Sequence, residues 1–259
     1  MTFKAASFNI NSIRARKELL INWLLQSKPD LLCLQETKVM DKDFPVQDFR
    51  DIGYNTLFKG QKSYNGVAIL SPHDLTRVDS DLGEAAEPGE ARLLAAQVKG
   101  IYVVNTYIPQ GQDPKSPKFI HKLNWIRAMR DYFTRNFTPE QPVLWLGDFN
   151  VAPEPIDIHD PKRLLGHVGF HPEEHKVLAH VKEWGFQDIF RKHKPEGGHY
   201  TFWDYRVPRG VERNLGWRVD HIWGTRAIAD RSMDSWVDIE PRKLEKPSDH
   251  TFIMAEFNI

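Results

Sequence analysis

The sequence predicts an α/β fold, namely a four-layer α/β sandwich in which two mixed β-sheets pack face to face with helices outside. Apolar runs typical of strands outnumber helical segments, and they often come in pairs separated by turns. Such pairing favours mixed sheets over the strict strand–helix alternation of a doubly wound parallel sheet. Each half of the chain also carries strands that end in Asn or Asp and one substantial helix, as two similar packed layers would. We expect residues 1–259 to form a single domain.

In the first half of the chain, one helix lies among several strands. TFKAASFNI predicts the first strand. A helix is predicted near residues 15–27, because Leu20, Trp23 and Leu24 recur at helical spacing before Lys28-Pro29-Asp30 ends the pattern. Runs of apolar residues bounded by turn residues predict the further strands LLCLQET, GVAILS, ARLLAAQVKG and IYVVNTYIP.

In the second half, residues 117–136 predict a helix with Phe119, Leu123, Ile126 and Phe133 on one stripe. Another helix is predicted near residues 173–184. The predicted strands are PVLWLGDFN, TFWDY, WRVDHIW, SWVDI and HTFIMAEFNI.

Composition sets bounds on the class of protein. The chain has 259 residues, 41% of them hydrophobic, which is enough to bury a sizeable core. No run approaches the roughly 18 to 20 consecutive apolar residues of a membrane span, and no signal or transit peptide is visible. Cys33 is the single cysteine, so an internal disulfide is excluded. We expect a cytoplasmic protein, and nothing in the sequence requires more than a monomer.

The net charge is zero, with 35 basic and 35 acidic residues. This balance counts against a protein that coats nucleic acid through bulk electrostatics, for which a strongly basic domain is expected. It does not exclude an enzyme that meets phosphodiesters through a local patch and a bound metal ion.

PVLWLGDFN, residues 142–150, is a buried strand that ends abruptly in polar residues. If the chain stays extended, a period of two places Asp148 and Asn150 on the same side. The alternative is a simple turn, because Gly-Asp and Asn are common turn formers.

Other predicted strands end in the same way. The polar residues at these ends are Asn9, Asn11, Glu36, Tyr107, Asp148, Asn150, Asp220, Asp249 and His250. Oxygen ligands of this kind suit a hard cation such as Mg²⁺ or Mn²⁺, whereas zinc would call for more His and Cys. A carboxylate, a metal and a His–Asp pair fit the hydrolysis of a phosphate ester.

Several motifs together resemble one family. FNIN, LQETK, YIPQG, LGDFN, TFWDYR, WRVDHI and EKPSDH occur in the order, and at roughly the spacings, of exonuclease III-type abasic-site endonucleases. These enzymes belong to the endonuclease/exonuclease/phosphatase superfamily, which includes deoxyribonuclease I. The resemblance runs from about residue 3 to residue 257 and implies a deoxyribonuclease I-like fold.

The resemblance implies a role for each matching residue. Asp148 positions or deprotonates the attacking water, and Asn150 helps to hold the water and the phosphate. His250 donates to a phosphate oxygen, and Asp220 orients its ring. Tyr107 matches the family's active-site tyrosine, acting either as a phenolate or as a hydrogen-bond donor. Glu36 is the principal metal ligand, and the residues implied around the metal are Asn9, Asn11, Glu36, Asp148, Asn150, Asp249 and His250.

Other residues are expected to bind the substrate. Arg14 and Gln110 can meet backbone phosphates. Phe202, Trp203 and Trp217 suit a flipped-out sugar and a kinked duplex, although each aromatic residue taken alone could simply pack in the core. Four arginines lie near these aromatic residues in the sequence: Arg206, Arg209, Arg213 and Arg218.

The sequence departs from the family pattern in places. Ser12 follows FNIN where many relatives carry glycine, and Phe202 stands where the best-known bacterial member has Trp. Some bacterial relatives have a smaller residue at the position of Trp217. The balance between abasic-site incision and exonuclease activity therefore stays open.

The resemblance implies a Mg²⁺-dependent DNA repair phosphodiesterase that incises duplex DNA 5′ to abasic sites and leaves a 3′-hydroxyl. A 3′-to-5′ exonuclease activity and trimming of 3′-blocked ends are also expected. One alternative is a phosphatase or phosphodiesterase of the same superfamily that acts on an inositol phosphate or sphingomyelin. Those relatives place an arginine shortly after GD-x-N, whereas Val151-Ala152-Pro153 follows here. Another alternative is a non-catalytic nucleic-acid binder.

Overall fold

The computed structural model describes residues 2–259, and two six-stranded sheets form its centre. The first sheet contains β1 (Thr2–Asn9), β2 (Leu31–Gln35), β3 (Asn55–Lys59), β4 (Val67–Ser71), β11 (Ser232–Asp238) and β12 (Phe252–Asn258), in the order β11-β12-β1-β2-β4-β3. The second contains β5 (Thr76–Val78), β6 (Leu93–Val98), β7 (Ile101–Tyr107), β8 (Val143–Asp148), β9 (Phe186–Asp188) and β10 (Asp220–Thr225), in the order β5-β6-β7-β8-β10-β9. Both sheets are mixed, because β1–β2 and β7–β8 pair in parallel while the other neighbours are antiparallel.

The helices lie outside the sheets, and the predicted four-layer sandwich is confirmed. They are α1 (Ile13–Ser27), α2 (Val46–Asp51), α3 (Pro117–Asn136), α4 (Pro161–Leu164), α5 (Pro172–Lys182), α6 (Ile189–His193) and α7 (Arg226–Ala229). The three helices predicted from the sequence correspond to α1, α3 and α5. Lys28 ends α1 in the left-handed conformation, and its N–H donates to the Leu24 carbonyl. Ser116 caps α3 ahead of a proline in the first turn.

Alternation along the strands explains the layers. On β8, Leu144 and Leu146 face the core between the sheets, while Val143 and Trp145 face α3 and α5. The residues of β1 divide in the same way between the inner core and α1. Both faces of the central strands are therefore buried, and this accounts for their nearly continuous apolar sequences.

Two predicted strands differ from the structure. TFWDY forms only isolated bridges at Phe202, because the chain turns again at residues 204–207. WRVDHIW becomes a regular strand only from Asp220, since Arg218 before it turns into a buried ionic cluster. Every helix among residues 2–259 is too short or too polar to cross a bilayer.

Candidate active site

The ends of the central strands meet at one edge of the sandwich. Asn9 ends β1, and Glu36 directly follows the parallel strand β2. Tyr107 ends β7 and lies opposite Asp148, the last residue of β8. Because β10 runs antiparallel to β8, its first residue, Asp220, also lies opposite Asp148. The topology thus brings residues that are distant in the sequence to one place.

Asn9 joins the two sheets at this edge. Its Nδ2 donates to Oε1 of Glu36 at 2.7 Å and to Oδ2 of Asp148 at 2.9 Å. Its carbonyl accepts from the Ser248 hydroxyl, next to Asp249 and His250. One buried carboxamide therefore fixes the spacing of two carboxylates from different sheets.

The GDFN segment is a turn, contrary to the extended geometry expected from the sequence. Asn150 has a φ of 51° and its N–H donates to Oδ1 of Asp148 at 2.8 Å. Its Nδ2 donates to the Ile108 carbonyl at 2.9 Å and lies 3.3 Å from Oδ2 of Asp148. The turn is compatible with a functional role for Asp148 and Asn150, because it brings both side chains to the site.

His250 and Asp220 form a buried pair. Nδ1 of His250 lies 2.8 Å from Oδ2 of Asp220, and its Nε2 lies 3.8 Å from Oδ2 of Asp148. The ring of Phe202 packs against the imidazole with centroids 4.9 Å apart. Burial acts to lower the pKa of His250, but the carboxylates of Asp220 and Asp148 outweigh it and raise the pKa to about 10. His250 is therefore an imidazolium at neutral pH.

The pKa values of Asp148 and Tyr107 are also displaced. Burial raises the pKa of Asp148 to about 7, with His250 opposing the rise and Asp220 adding to it. Burial raises the pKa of Tyr107 well above its usual value, and the charges of Glu36 and Asp148 raise it further. Of the two roles left open for Tyr107, its environment favours a protonated phenol that donates a hydrogen bond.

Glu36 is held as a carboxylate. Burial acts to raise its pKa, but the ammonium group of Lys38, 2.7 Å from Oε2, outweighs burial and lowers it. Lys38 also donates to Oδ1 of Asn11 at 2.6 Å, and Asn11 donates to Oδ1 of Asp249 at 2.9 Å. Glu36, Lys38, Asn11 and Asp249 thus form a continuous chain of polar contacts near Asp148.

The donor set fits a hard divalent cation. The ligand atoms of Asp148, Asp220 and His250 lie within 4.8 Å of one another, and Oδ1 of Asp220 is buried without a hydrogen-bond partner among residues 2–259. His250 is a weaker candidate ligand than the carboxylates, because Nδ1 is already bonded to Asp220 and the raised pKa keeps a proton on the ring. Oxygen donors from Glu36 and Asp148 are better suited to such a cation.

These groups open into a cavity of about 540 Å³. Its lining includes eight of the predicted catalytic, metal-site and substrate-binding residues: Glu36, Tyr107, Gln110, Asn150, Phe202, Trp217, Asp249 and His250. The structure thus brings together nearly all the predicted catalytic residues, along with three of the predicted substrate-binding residues.

Two predicted substrate-binding residues lie elsewhere. Trp203 is 3% exposed and does not line the cavity; its backbone N–H donates to the Asp249 carbonyl at 2.9 Å. Arg14 lies in a neighbouring groove, paired with Asp43 at 3.0 Å. This basic groove, as we name it, is lined by Arg14, Lys38, Val39, Met40, Lys42, Asp43, Lys62 and Ser63.

The arginines near the aromatic residues also differ in placement. Arg206 lines the cavity and is paired with Asp204. Arg218, expected in a loop beside the aromatic residues, is instead fully buried against Asp157 and Asp188. Its pKa is raised, because these two carboxylates outweigh the effect of burial. Arg218 thus belongs to the scaffold.

Sequence reasoning missed two buried groups behind the cavity. Lys122 on α3 pairs with Glu174 on α5, and both side chains are fully buried. His221 on β10 contacts Arg218 through Nδ1 and the Val151 carbonyl through Nε2. Burial and the Arg218 guanidinium lower the pKa of His221 to about 3, so the ring is neutral. Lys122 sits within an amphipathic helical pattern and has the appearance of a surface residue in the sequence.

Comparisons with known proteins agree with this geometry. The profile of the Endonuclease/Exonuclease/phosphatase family matches residues 6–250. Exodeoxyribonuclease III of Haemophilus influenzae is 33% identical, over 98% of this chain and 99% of that protein. An AP endonuclease structure from Archaeoglobus fulgidus is 44% identical with a TM-score of 0.94, covering 99% of this chain and 100% of that one.

A Neisseria enzyme, NExo, is similar as well. It is described in one structure as a 3′-5′ exonuclease and in another as a 3′ phosphatase bound to a product DNA hairpin. Each structure has a TM-score of 0.93 and 36% identity, and the match covers 99% of this chain and 100% of that one.

Proposed function

Since the chain belongs to the endonuclease/exonuclease/phosphatase family, we propose that it is a Mg²⁺-dependent phosphodiesterase that incises duplex DNA 5′ to abasic sites. We further propose that it trims 3′-blocked ends and degrades DNA from the 3′ end. These activities follow the names of its relatives, which include an AP endonuclease, exodeoxyribonuclease III and a 3′ phosphatase.

Asp148, the Asp220–His250 pair and Glu36 converge beside one cavity, which Glu36 and His250 line, and this convergence is the observation that carries the proposal. A carboxylate with a pKa of about 7 is a suitable general base at neutral pH. A buried imidazolium 3.8 Å from that carboxylate is a suitable partner for a phosphate oxygen.

In the proposed reaction, Asp148 accepts a proton from the attacking water while Asn150 orients it. As the water oxygen bonds to phosphorus, the bond between phosphorus and O3′ breaks, and O3′ takes up a proton from solvent and leaves as the 3′-hydroxyl. His250 donates a hydrogen bond to a non-bridging phosphate oxygen, where negative charge develops. Asp220 keeps the imidazole charged and fixes its orientation through Nδ1. Tyr107 donates a further hydrogen bond to the phosphate from its protonated phenol.

The metal would be held by Glu36, Asp148 and Asn9, with Asn11 and Asp249 completing the polar surroundings. When bound, Mg²⁺ or Mn²⁺ supplies positive charge that neutralises the phosphate. Lys38 supports the negative charge on Glu36 that such a cation needs.

The surroundings of the cavity suit damaged duplex DNA. The aromatic rings of Phe202 and Trp217 line a cavity that can accept a sugar without a base. An abasic nucleotide costs little to extrude, because no base pairing is lost. Next to the cavity, the basic groove contributes four cationic side chains, Arg14, Lys38, Lys42 and Lys62, that can follow a phosphate backbone. A local patch thus compensates for the zero net charge.

We also propose that the protein acts as a monomer and in the cytoplasm. In a cell without a nucleus, that compartment holds the DNA. Light scattering at micromolar concentration and cell fractionation would test these two proposals.

The deciding experiment uses a labelled duplex with one abasic analogue, with Mg²⁺ and with chelator. We expect a single cut 5′ to the lesion, only with metal, and a loss of about 10²-fold or more in Asp148→Asn. Asp131→Asn, an exposed carboxylate on α3, is the matched control and should retain full activity.

Two outcomes would favour the alternatives. Release of inorganic phosphate from an inositol phosphate, without cleavage of DNA, would identify a phosphatase of the same family. Tight DNA binding that is independent of metal and gives no product would identify a non-catalytic binder.

A further inference from the structure

Behind the cavity floor, one ammonium group connects several chain segments. Lys122 is fully buried, and its Nζ lies 2.5 Å from Oε1 of Glu174, 2.8 Å from the Asn150 carbonyl and 3.2 Å from the Gln110 carbonyl. An ammonium group has three N–H donors, and three acceptors surround it here. Gly111 leaves room for the lysine stem, since a Cβ there would lie 3.1 Å from Cδ of Lys122.

Glu174 extends the connection to a third segment. Its carboxylate accepts from the Gly169 N–H, at 2.8 Å to Oε2, and from the His171 N–H at 3.0 Å. Gly169 packs against the ring of Trp217, because a Cβ at residue 169 would lie 3.1 Å from Cζ3 of the indole. The Glu174 carboxylate therefore connects the loop at Gly169, which lines one side of the cavity, to Lys122 behind the cavity.

The segments joined in this way all line the cavity. Gln110 lies in the loop after β7, Asn150 in the loop after β8, and Val168 and Gly169 in the loop before α5. The left-handed turn at Asn150 is held by several partners. Asp148 and Ile108 accept from its N–H and its carboxamide, and Lys122 is the partner of its backbone carbonyl.

We propose that Lys122 and Glu174 are positioning residues for the reaction, fixing the direction of the Asn150 carboxamide and the distance from Asn150 to the wall at Gly169. Both side chains are fully buried and face away from bulk solvent, so they act through the loops and not on the substrate. This inference rests on the proposed nuclease function and adds the residues that hold its site in shape.

The test compares Lys122→Met with the double variant Lys122→Met/Glu174→Gln. The double variant leaves no unpaired buried charge, and the carboxamide introduced at position 174 can still accept from the Gly169 and His171 N–H groups. We expect kcat on abasic duplex to fall about tenfold or more, because small displacements of positioning groups are costly. KM should change less than about threefold, since DNA binding rests on the exposed contacts.

A second comparison asks whether the effect passes through Asn150. In Asn150→Ala, adding Lys122→Met should cost little further activity, because the group that the lysine positions is already absent. Val98→Ala serves as the stability control, since Val98 is buried at the opposite end of β6 from the site. It should lower the melting temperature without lowering kcat.

Hydrogen exchange measures, independently of activity, how firmly Lys122 and Glu174 hold the three loops. Amides in residues 108–112, 149–152 and 167–171 should exchange faster in the double variant than in the parent protein. A folded double variant with kcat within about threefold of the parent would overturn the inference, as would additive losses with Asn150→Ala or unchanged exchange. A double variant that cannot fold would also overturn it, by showing that the pair is needed for folding itself. If the parent protein cleaves no DNA, the proposed function fails, and hydrogen exchange alone then tests whether Lys122 and Glu174 hold the loops in place.

Discussion

Replacing Asp220 by asparagine removes the negative charge closest to His250 while preserving the shape of the side chain. In the parent protein, Oδ2 of Asp220 lies 2.8 Å from Nδ1 of His250, and the pKa of His250 is about 10. The substitution leaves Asp148, 3.8 Å from Nε2, as the nearest remaining anion.

The size of the effect follows from these distances. Two unit charges 2.8 Å apart attract by about 6 kcal/mol at an effective dielectric constant of about 20. At about 1.4 kcal/mol for each pKa unit, that attraction corresponds to about four pKa units. The asparagine carbonyl restores part of it as a hydrogen bond, so we expect the pKa of His250 to fall to about 7. At pH 8.5 only about 3% of His250 would then be charged, against about 90% at pH 6.

The assay is the pH dependence of abasic-site incision at saturating Mg²⁺ under single-turnover conditions. Asp220→Asn should be about 30-fold slower than the parent at pH 8.5 and within about threefold at pH 6. Activity that needs the imidazolium is present below the pKa of His250 and is lost as the pH rises through it, so the variant loses the alkaline side of its profile. An equal ratio of rates at the two pH values would refute the assignment of His250 as the charged donor.

Three further predictions concern other parts of the structure. Glu36→Gln should raise the Mg²⁺ concentration for half-maximal incision by about tenfold or more, because it removes one of the two anionic oxygen donors proposed for the metal; a metal titration that superimposes on the parent would contradict this role. Gly147→Ala should destabilise the protein by at least about 2 kcal/mol in urea unfolding, because Gly147 has a φ of 142° and a Cβ there would lie 1.9 Å from the Thr106 carbonyl oxygen. An unchanged unfolding midpoint would be inconsistent with that packing. Lys62→Ala should weaken DNA binding and reduce the slope of log affinity against log salt by about 0.9, if Lys62 neutralises one phosphate. The same slope as the parent would place the DNA outside the basic groove.

The sheet edge that carries the proposed active site was predictable from local sequence. Apolar strands that stop at Asp148, Glu36 and Asn9 mark sheet ends, and a packed sandwich brings such ends together. The family resemblance then assigned roles to the residues that the strand ends had already selected. Long, strongly patterned helices such as Pro117–Asn136 were predictable for the same reason, since their periodicity is local.

The environment of individual side chains was not predictable from local sequence. Trp203 was expected to contact substrate and Arg218 to lie in a loop beside it, yet both are buried. Their burial depends on partners from distant segments, such as Asp157 and Asp188 around the guanidinium. Charged residues are rarely buried without such partners, and no single segment reveals them.

The extended geometry expected at Asn150 was wrong for a different reason. Alternation assumes an extended chain, whereas the Asp148 carboxylate accepts the N–H of residue 150 and closes a turn. The turn chemistry of Asp and Asn overrode the period of the strand.

The pairing of β12 with β1 has a consequence for the protein's biogenesis. Residues at opposite ends of the fold pair here, Thr2 with Asn258 and Ser7 with Ile253, and the segment just before β12 delivers Asp249 and His250. A growing polypeptide on the ribosome therefore cannot assemble the proposed active site until β12 has been made and has closed the first sheet. Such long-range closure is slow compared with helix formation. A chain that has not yet formed β12 therefore lacks the strand that positions Asp249 and His250.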